Sequence, residues 1–306
     1  MGLGKAPANI LLQEASRNPL RGRVLTLGRQ DIWLTIDKLR SISARSGVPL
    51  REIKNIELSH KPWFSQQGYI SDRSFFELLG FEQIESLDYS DYEGANHIAD
   101  LNSDRMPDHL LGAFDFIVDG GTLEHVFHVP NVLKNIFSML RTGGRILHMA
   151  PSSNHIDHGF YMFSPTLFSD FYFANKFEIN LSQIYRHTQE HVTDPWEVID
   201  YEPGCLDNVS FGGLDNSIYG IVFLATKTDQ SSGDAIPQQG LSRKTVTEPA
   251  RPASGPSAHS LESKARTLVK SIPVARELWK IAGVVRRWLV HLRKKREAEL
   301  RVKARY

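Results

Sequence analysis

The feature that most constrains this chain is an alternation running from residue 8 to about residue 226. Compact apolar strand patterns and helical patterns follow one another, and the strand patterns stop at glycine or at an acid. Residues 23–27 stop at Gly28, 83–88 end in Asp88, a short pattern at 96–99 leads to Asp100, and 114–119 ends in Asp119-Gly120-Gly121. Further strands are predicted at 145–149, 177–184 and 217–225. Helical spacing is read at 9–16, from Ile32 through Trp33, Ile36 and Leu39 to Ile42, at 74–79 with Gly80 as its stop, and at 165–174. Pro130 opens another helix through Leu140, closed by Gly143-Gly144. Strands joined by helices form a mostly parallel sheet with helices on both faces. The last two strands have no good helix between them, which predicts an antiparallel hairpin at one edge. The expectation is an α/β, Rossmann-like, doubly wound sheet of seven strands. Residues 43–70 hold Pro49, Pro62, Trp63 and Phe64 without regular spacing and read as an insertion or lid.

Charge divides the chain. The 306 residues carry 36 Lys+Arg and 35 Asp+Glu, yet residues 1–240 hold 19 basic and 30 acidic groups, net −11, and residues 241–306 hold 17 and 5, net +12. An acidic body therefore precedes a basic tail, and we divide the chain into a domain at 1–228, a disordered linker at 229–260 rich in Ser, Pro, Gln, Gly and Thr, and a basic amphipathic helical tail at 261–306. The tail places Leu268, Val274, Leu278, Ala282, Val285, Leu289 and Leu292 near one face; Pro273 and Gly283 divide its helix. Anionic lipid, an acidic partner (this protein's own body included) and nucleic acid are all open as its target. Trp279 and Trp288 with the long apolar face favour a membrane surface, and the acidic body argues against nucleic acid. The single cysteine, Cys205, excludes an intrachain disulfide and a thiolate metal site. No run approaches the ~18 apolar residues of a membrane span, the N-terminus lacks a signal-peptide core, and Ala6 breaks the myristoylation pattern. A cytoplasmic location is expected, peripheral at the inner face of a membrane through the tail.

In an open parallel sheet the ligand lies beyond the carboxyl ends of the strands, where strand order reverses. The residues ending the strands are therefore the informative ones. A glycine such as Gly28 lets the backbone turn tightly against a ligand. An acid such as Asp88 can accept both hydrogen bonds of a ribose diol. A polar residue after the third strand, Asp100, can read an adenine edge, and the small turn after Asp119 leaves room for a reacting end.

The segment Phe114-Asp115-Phe116-Ile117-Val118-Asp119-Gly120-Gly121-Thr122-Leu123-Glu124-His125-Val126, followed by a helix and Leu140-Arg141-Thr142-Gly143-Gly144-Arg145-Ile146-Leu147, resembles the class I S-adenosylmethionine-dependent methyltransferases over about residues 20–226. The stretch 158–165 is more loosely similar to methyltransferase-like proteins of surface-polysaccharide biosynthesis. The resemblance implies S-adenosylmethionine as cofactor. Gly28 and Gln30 would lie at the first turn, Asp88 on the ribose, Asp100 and Leu101 by the adenine, and Asp119, Gly120 and Thr122 by the methionine end. The first motif departs from the family: Thr26 stands for an acid, and Gln30 and Ile32 stand for glycines. Gln30 could instead hydrogen-bond a carboxylate, and Arg29 could pair with one. The implied reaction is methyl transfer to a hydroxyl or amine of a small molecule or glycan precursor. The alternative is a catalytically degenerate scaffold or binding protein of the same fold.

His155 and His158 follow the fifth strand and are candidates for a substrate-side base or hydrogen-bond donor, with His125 beside them. Glu124-His125 is equally readable as a helix-capping pair. A metal reading of His148, His155, Asp157 and His158, or of His187 and His191 at i, i+4 spacing, lacks a His-Glu-x-x-His pattern, and no metal is expected.

Overall fold

The computed structural model of the chain describes residues 2–188, 195–240 and 302–306. In chain order its elements are β1 (Gly2–Leu3), α1 (Lys5–Arg17), β2 (Arg23–Leu27), β3 (Asp31–Ile32), α2 (Ile36–Ser46), α3 (Pro62–Gln66), α4 (Asp72–Leu79), β4 (Gln83–Asp88), β5 (His97–Ile98), β6 (Phe114–Asp119), α5 (Val129–Met139), β7 (Leu140–Pro151), α6 (Pro165–Ala174), β8 (Glu178–His187), β9 (Glu197–Asp200), β10 (Ile218–Thr226) and β11 (Ala304–Arg305). Nine of the described strands make one sheet in the order β11-β9-β8-β10-β7-β6-β2-β4-β5. Its body is the seven strands read from the sequence, and β9 and β11 extend one edge. Strands β5, β4, β2, β6 and β7 run parallel, while β10 is antiparallel to both β7 and β8. The expected hairpin pair therefore forms, with β10 inserted between β8 and β7. Strand order reverses between β2 and β6, so the crevice for a ligand opens over those two strand ends.

The sheet is apolar on both faces. Along β2 and β6, Val24, Phe116 and Val118 enter a cluster with Leu11, Leu12, Phe75 and Phe76. Leu25, Leu27 and Ile117 enter the opposite one with Val132, Ile136, Phe168 and Tyr172. That two-residue alternation lets one strand bury both faces, and each fully buried large side chain contributes about 1.5–3 kcal/mol. Three helices, α2, α4 and α6, start at side-chain caps: Thr35 accepts from the Lys38 amide, Ser71 from Ser74 and Ser164 from Thr166.

Three expectations need correction. Residues 31–35 are not helical: β3 pairs in parallel with β1, and α2 starts only after the Thr35 cap. Trp33 is thereby turned onto Phe64 (ring centroids 4.5 Å apart), Trp63 (5.4 Å) and Tyr69 (6.0 Å). This aromatic cluster, with the Ile70 amide on the Leu34 carbonyl at 3.0 Å, fastens the 43–70 insertion to the sheet's cover. Gly143-Gly144 lies inside β7 and not at a helix end, because the chain leaves α5 at Leu140 directly into the sheet. The linker begins later than residue 229: Ser232 and Ala235 amides are held by Asn175, whose Nδ2 donates to the Ala235 carbonyl at 3.0 Å.

The described residues fall in two compact units. The sheet unit includes 216–239 and 302–306. Of the second, 204–215 are described and form a run of turns. Most of the linker and tail, 241–301, and His191 lie outside the described residues. At 302–306 the chain is extended where a helical tail was expected: β11 pairs with β9, and Tyr306 Oη donates to Gln13 Oε1 at 2.7 Å. No helix among the described residues is long and apolar enough to cross a membrane.

Candidate functional site

Three strand ends meet at one point. Gly28 leaves β2 at φ +70°, a left-handed backbone that favours glycine. Its amide donates to the Leu87 carbonyl at 2.8 Å, tying the ends of β2 and β4 together. A Cβ at Gly28 would sit 3.3 Å from Thr122 Oγ1 and 3.8 Å from Asp88 Oδ2. Asp88 Oδ1 accepts from the Tyr89 amide at 2.6 Å, which fixes the carboxylate and leaves Oδ2 turned toward Gly28. Thr122 Oγ1 donates to the Leu27 carbonyl, drawing the turn after β6 onto the end of β2.

The loop after β5 is stapled to α5. Asp100 Oδ1 accepts from the Asn102 amide (2.8 Å) and Nδ2 (2.9 Å). Asn131 Nδ2 donates to the Asn102 carbonyl, and Asn135 Nδ2 to the Leu101 and Ser103 carbonyls at 3.2 and 2.8 Å. Leu101 is buried and forms a fixed apolar wall beside Asp100. None of the three asparagines was singled out from the sequence, where each is one polar residue on a helix or loop.

Asp119 does not face the crevice. Its carboxyl is fully buried: Oδ1 accepts from the Thr122 and Leu123 amides at 3.0 and 3.2 Å, and Oδ2 lies 2.7 Å from His148 Nδ1. His148 Nε2 in turn lies 2.7 Å from Tyr172 Oη. Asp119 thus shapes the turn that presents Gly120 and Thr122, and His148, weighed as a metal ligand in the sequence, is occupied on both nitrogens. Of the other metal pair, His187 is the last residue of strand β8 and His191 lies outside the described residues.

Gln30 is buried over Gly120, where any Cβ would lie 2.4 Å from Gln30 Oε1. Its Nε2 donates to the Leu27 and Gly28 carbonyls at 3.2 and 3.3 Å, and Oε1 has no hydrogen-bond partner. The unmet valence is a buried acceptor, which suits a donor such as an ammonium and not the carboxylate expected from sequence. Arg29 does not serve a ligand carboxylate either, since it grips Asp72 through Nε at 2.9 Å and Nη2 at 2.6 Å. A carboxylate oxygen at Asp88, a glycine turn at Gly28, an apolar side chain at Leu101 and an unmet acceptor at Gln30 are of the chemical kinds that a ribose diol, a base and an α-ammonium require.

Beyond this crevice the structure brings His125, His155 and His158 into one group. The rings of His125 and His158 are 5.2 Å apart, and those of His158 and His155 are 5.7 Å apart. Burial, helped by His158 and His187, pushes His155 down to about 4, so it is neutral at physiological pH. Its Nε2 is buried without a hydrogen-bond partner. Under the histidines lies Glu124, wholly buried, with neither carboxyl oxygen hydrogen-bonded. Burial, with Asp119 nearby, pushes its carboxyl up to about 8. It does not serve as a helix cap, since α5 starts four residues beyond His125. Exposed Phe127, Ile156, Phe160 and Met162 surround the group as an apolar rim.

A family model described as a methyltransferase domain matches residues 49–200, a span that begins after Gly28 and Gln30. Among solved structures, the 1,6-didemethyltoxoflavin N1-methyltransferase of Burkholderia thailandensis, bound to 1,6-didemethyltoxoflavin and S-adenosylhomocysteine, is similar over 73% of this chain and 77% of its own, at 16% identity and a TM-score of 0.36. A SAM-dependent methyltransferase from Archaeoglobus fulgidus is similar over 72% of this chain and 94% of its own, at 12% identity and a TM-score of 0.35. No curated protein matches the chain by sequence.

Proposed function

We propose that this chain, whose residues 49–200 match a methyltransferase-domain model, transfers the methyl group of S-adenosylmethionine to a hydroxyl or amine of a small molecule or glycan precursor. The observation that carries this reading is the convergence of Asp88 Oδ2, Gly28 and Thr122 at the strand-order reversal. When bound, the cofactor supplies an activated methyl group on a sulfonium. The proposed part of this chain is to hold and align. Asp88 Oδ2 takes the ribose hydroxyls, Asp100 and Leu101 border the adenine, and Gln30 Oε1 accepts from the ammonium. On the acceptor side, neutral His155 holds an unpaired Nε2 that is buried in this structure; once its ring turns toward the acceptor, this nitrogen accepts from the hydroxyl or amine and so orients the attacking lone pair. Alignment of this kind supplies most of what methyl transfer asks of a protein.

The apolar rim of Phe127, Ile156, Phe160 and Met162 supports a small acceptor with an apolar face. The loose likeness of 158–165 to polysaccharide-associated proteins supports a glycan precursor. The basic stretch at 261–301 is proposed to hold the enzyme to an anionic lipid surface or an acidic partner, on the strength of its charge and tryptophans. Incubation of the chain with methyl-labelled S-adenosylmethionine and a fractionated cell extract tests the acceptor class. Label is expected in the small-molecule or glycan fraction; label confined to protein or nucleic acid overturns the reading. The degenerate-scaffold alternative predicts that no fraction is labelled.

A further inference from the structure

We infer that Glu124, His125 and His158 form a binding site for one divalent transition-metal cation, on the acceptor side of the crevice. The ligand atoms of the three residues all lie within 4.8 Å of one another. Glu124 Oε1 is 3.6 Å from His158 Nε2 and 3.9 Å from His125 Nε2. Two ligands held at ~2.1 Å by one ion are at most about 4.2 Å apart, so both gaps to Glu124 are within the reach of a shared cation, and the His125–His158 gap, within 4.8 Å, needs at most a small side-chain adjustment.

The second, independent sign is Glu124 itself. A carboxyl with no exposed surface and no hydrogen bond to either oxygen is costly to bury. The side chains that come within 4 Å of its Oε1 without hydrogen-bonding it are the imidazoles of His158 and His125. A cation between them satisfies the carboxylate and uses nitrogens that stay half exposed, at 48% for the His125 side chain and 40% for His158.

The supports are rigid. Glu124 and His125 lie on the short 3-10 turn Leu123–His125 that follows the two amides held by Asp119. The loop carrying His158 is docked on that turn by the Phe160 amide, which donates to the Glu124 carbonyl at 2.8 Å. A three-ligand site on fixed elements keeps further coordination positions for water or a substrate oxygen. Two imidazoles and one carboxylate suit Zn²⁺, Co²⁺ or Fe²⁺ better than Mg²⁺ or Ca²⁺, which prefer oxygen ligands throughout. In the function proposed above, the open positions would take the acceptor's oxygen. That use rests on the methyltransferase reading, whereas the cation binding does not.

The test uses the full chain, free of any affinity tag and stripped with EDTA, titrated calorimetrically with Zn²⁺. Saturable binding of one ion per chain is expected, with an absorption spectrum for the Co²⁺ form that reports nitrogen ligation. His158→Ala removes a half-exposed side chain and is expected to weaken Zn²⁺ binding at least tenfold; His125→Ala serves as a second variant, and His155→Ala is expected to leave binding unchanged. No saturable binding to the wild type, or equal affinity in wild type, His158→Ala and His125→Ala, overturns the inference. S-adenosylhomocysteine binding measured in EDTA reports on the cofactor site separately, so the two readings fail independently.

Discussion

Asp119 Oδ2 lies 2.7 Å from His148 Nδ1, with both side chains fully buried between β6 and β7. The same carboxyl holds two amides of the turn that carries Thr122, and the same imidazole reaches Tyr172. The crevice wall is therefore set from beneath by a buried polar chain, and Asp119 is committed to the turn and to His148. Replacing His148 by leucine leaves a buried carboxyl oxygen and the Tyr172 hydroxyl without partners. We expect a loss of about 2–5 kcal/mol in urea unfolding, against about 1–2 kcal/mol for Tyr172→Phe. Equal, negligible losses would contradict this arrangement.

Gln30 and Gly120 form a second dependent pair. Gly120→Ala drives a methyl into Gln30 Oε1, and we expect a destabilisation of ~1–3 kcal/mol with weakened cofactor binding. Because the clash belongs to the pair, Gln30→Ala in the same chain restores part of the stability. Additive effects of the two substitutions, measured by denaturant unfolding, would show that the side chains do not touch.

Stability depends on pH through Glu124. Its carboxyl titrates at about 8 in the folded chain, against an ordinary value of 4.5. Between these values the unfolded chain is ionised while the folded chain keeps the proton, so folding takes up a proton and stability falls as pH rises from 4.5 to 8. The interval sets an upper limit of about 5 kcal/mol. Asp119, Tyr185, His125, His158 and the chain's amino terminus are ionisable groups that act on it or sit beside it. In EDTA, Glu124→Gln is expected to flatten this decline; an unchanged pH profile in the variant contradicts the assignment.

His155 gives an opposite dependence. Its folded value near 4 lies below the ordinary 6.5, so the unfolded chain protonates first and the contribution to stability is lost as pH falls from 6.5 to 4. NMR titration of the imidazole is expected to show a midpoint near 4. A midpoint near 6.5 would mean that the ring is solvated and unavailable as a fixed acceptor.

What the sequence makes legible here is the sheet and its ends. Strands β2 and β6 are largely apolar runs that stop at Gly28 and Asp119, β4 is a more polar strand that ends in Asp88, and each signal is contained in a few adjacent residues. Segment 31–35 misleads because Ile32, Trp33 and Ile36 carry helical spacing, while the partner that makes 31–32 a strand lies at Gly2–Leu3. The same holds at the site. Gly28 and Asp88 are identified by their place after a strand, but the fate of Asp119 depends on His148 and Tyr172 from other elements. Glu124 reads equally as a cap or a site residue until the loop bearing His158 is folded over it. Asn175, Asn131 and Asn135 act entirely through tertiary partners and leave no local pattern.

The most direct test of the account is calorimetric titration of the full chain with S-adenosylhomocysteine, for wild type and Asp88→Ala. The account predicts one molecule bound per chain, with affinity in the micromolar range, and at least a tenfold loss (about 1.4 kcal/mol) in the variant. The absence of saturable binding at high micromolar concentration, or equal affinity in the two proteins, would contradict it.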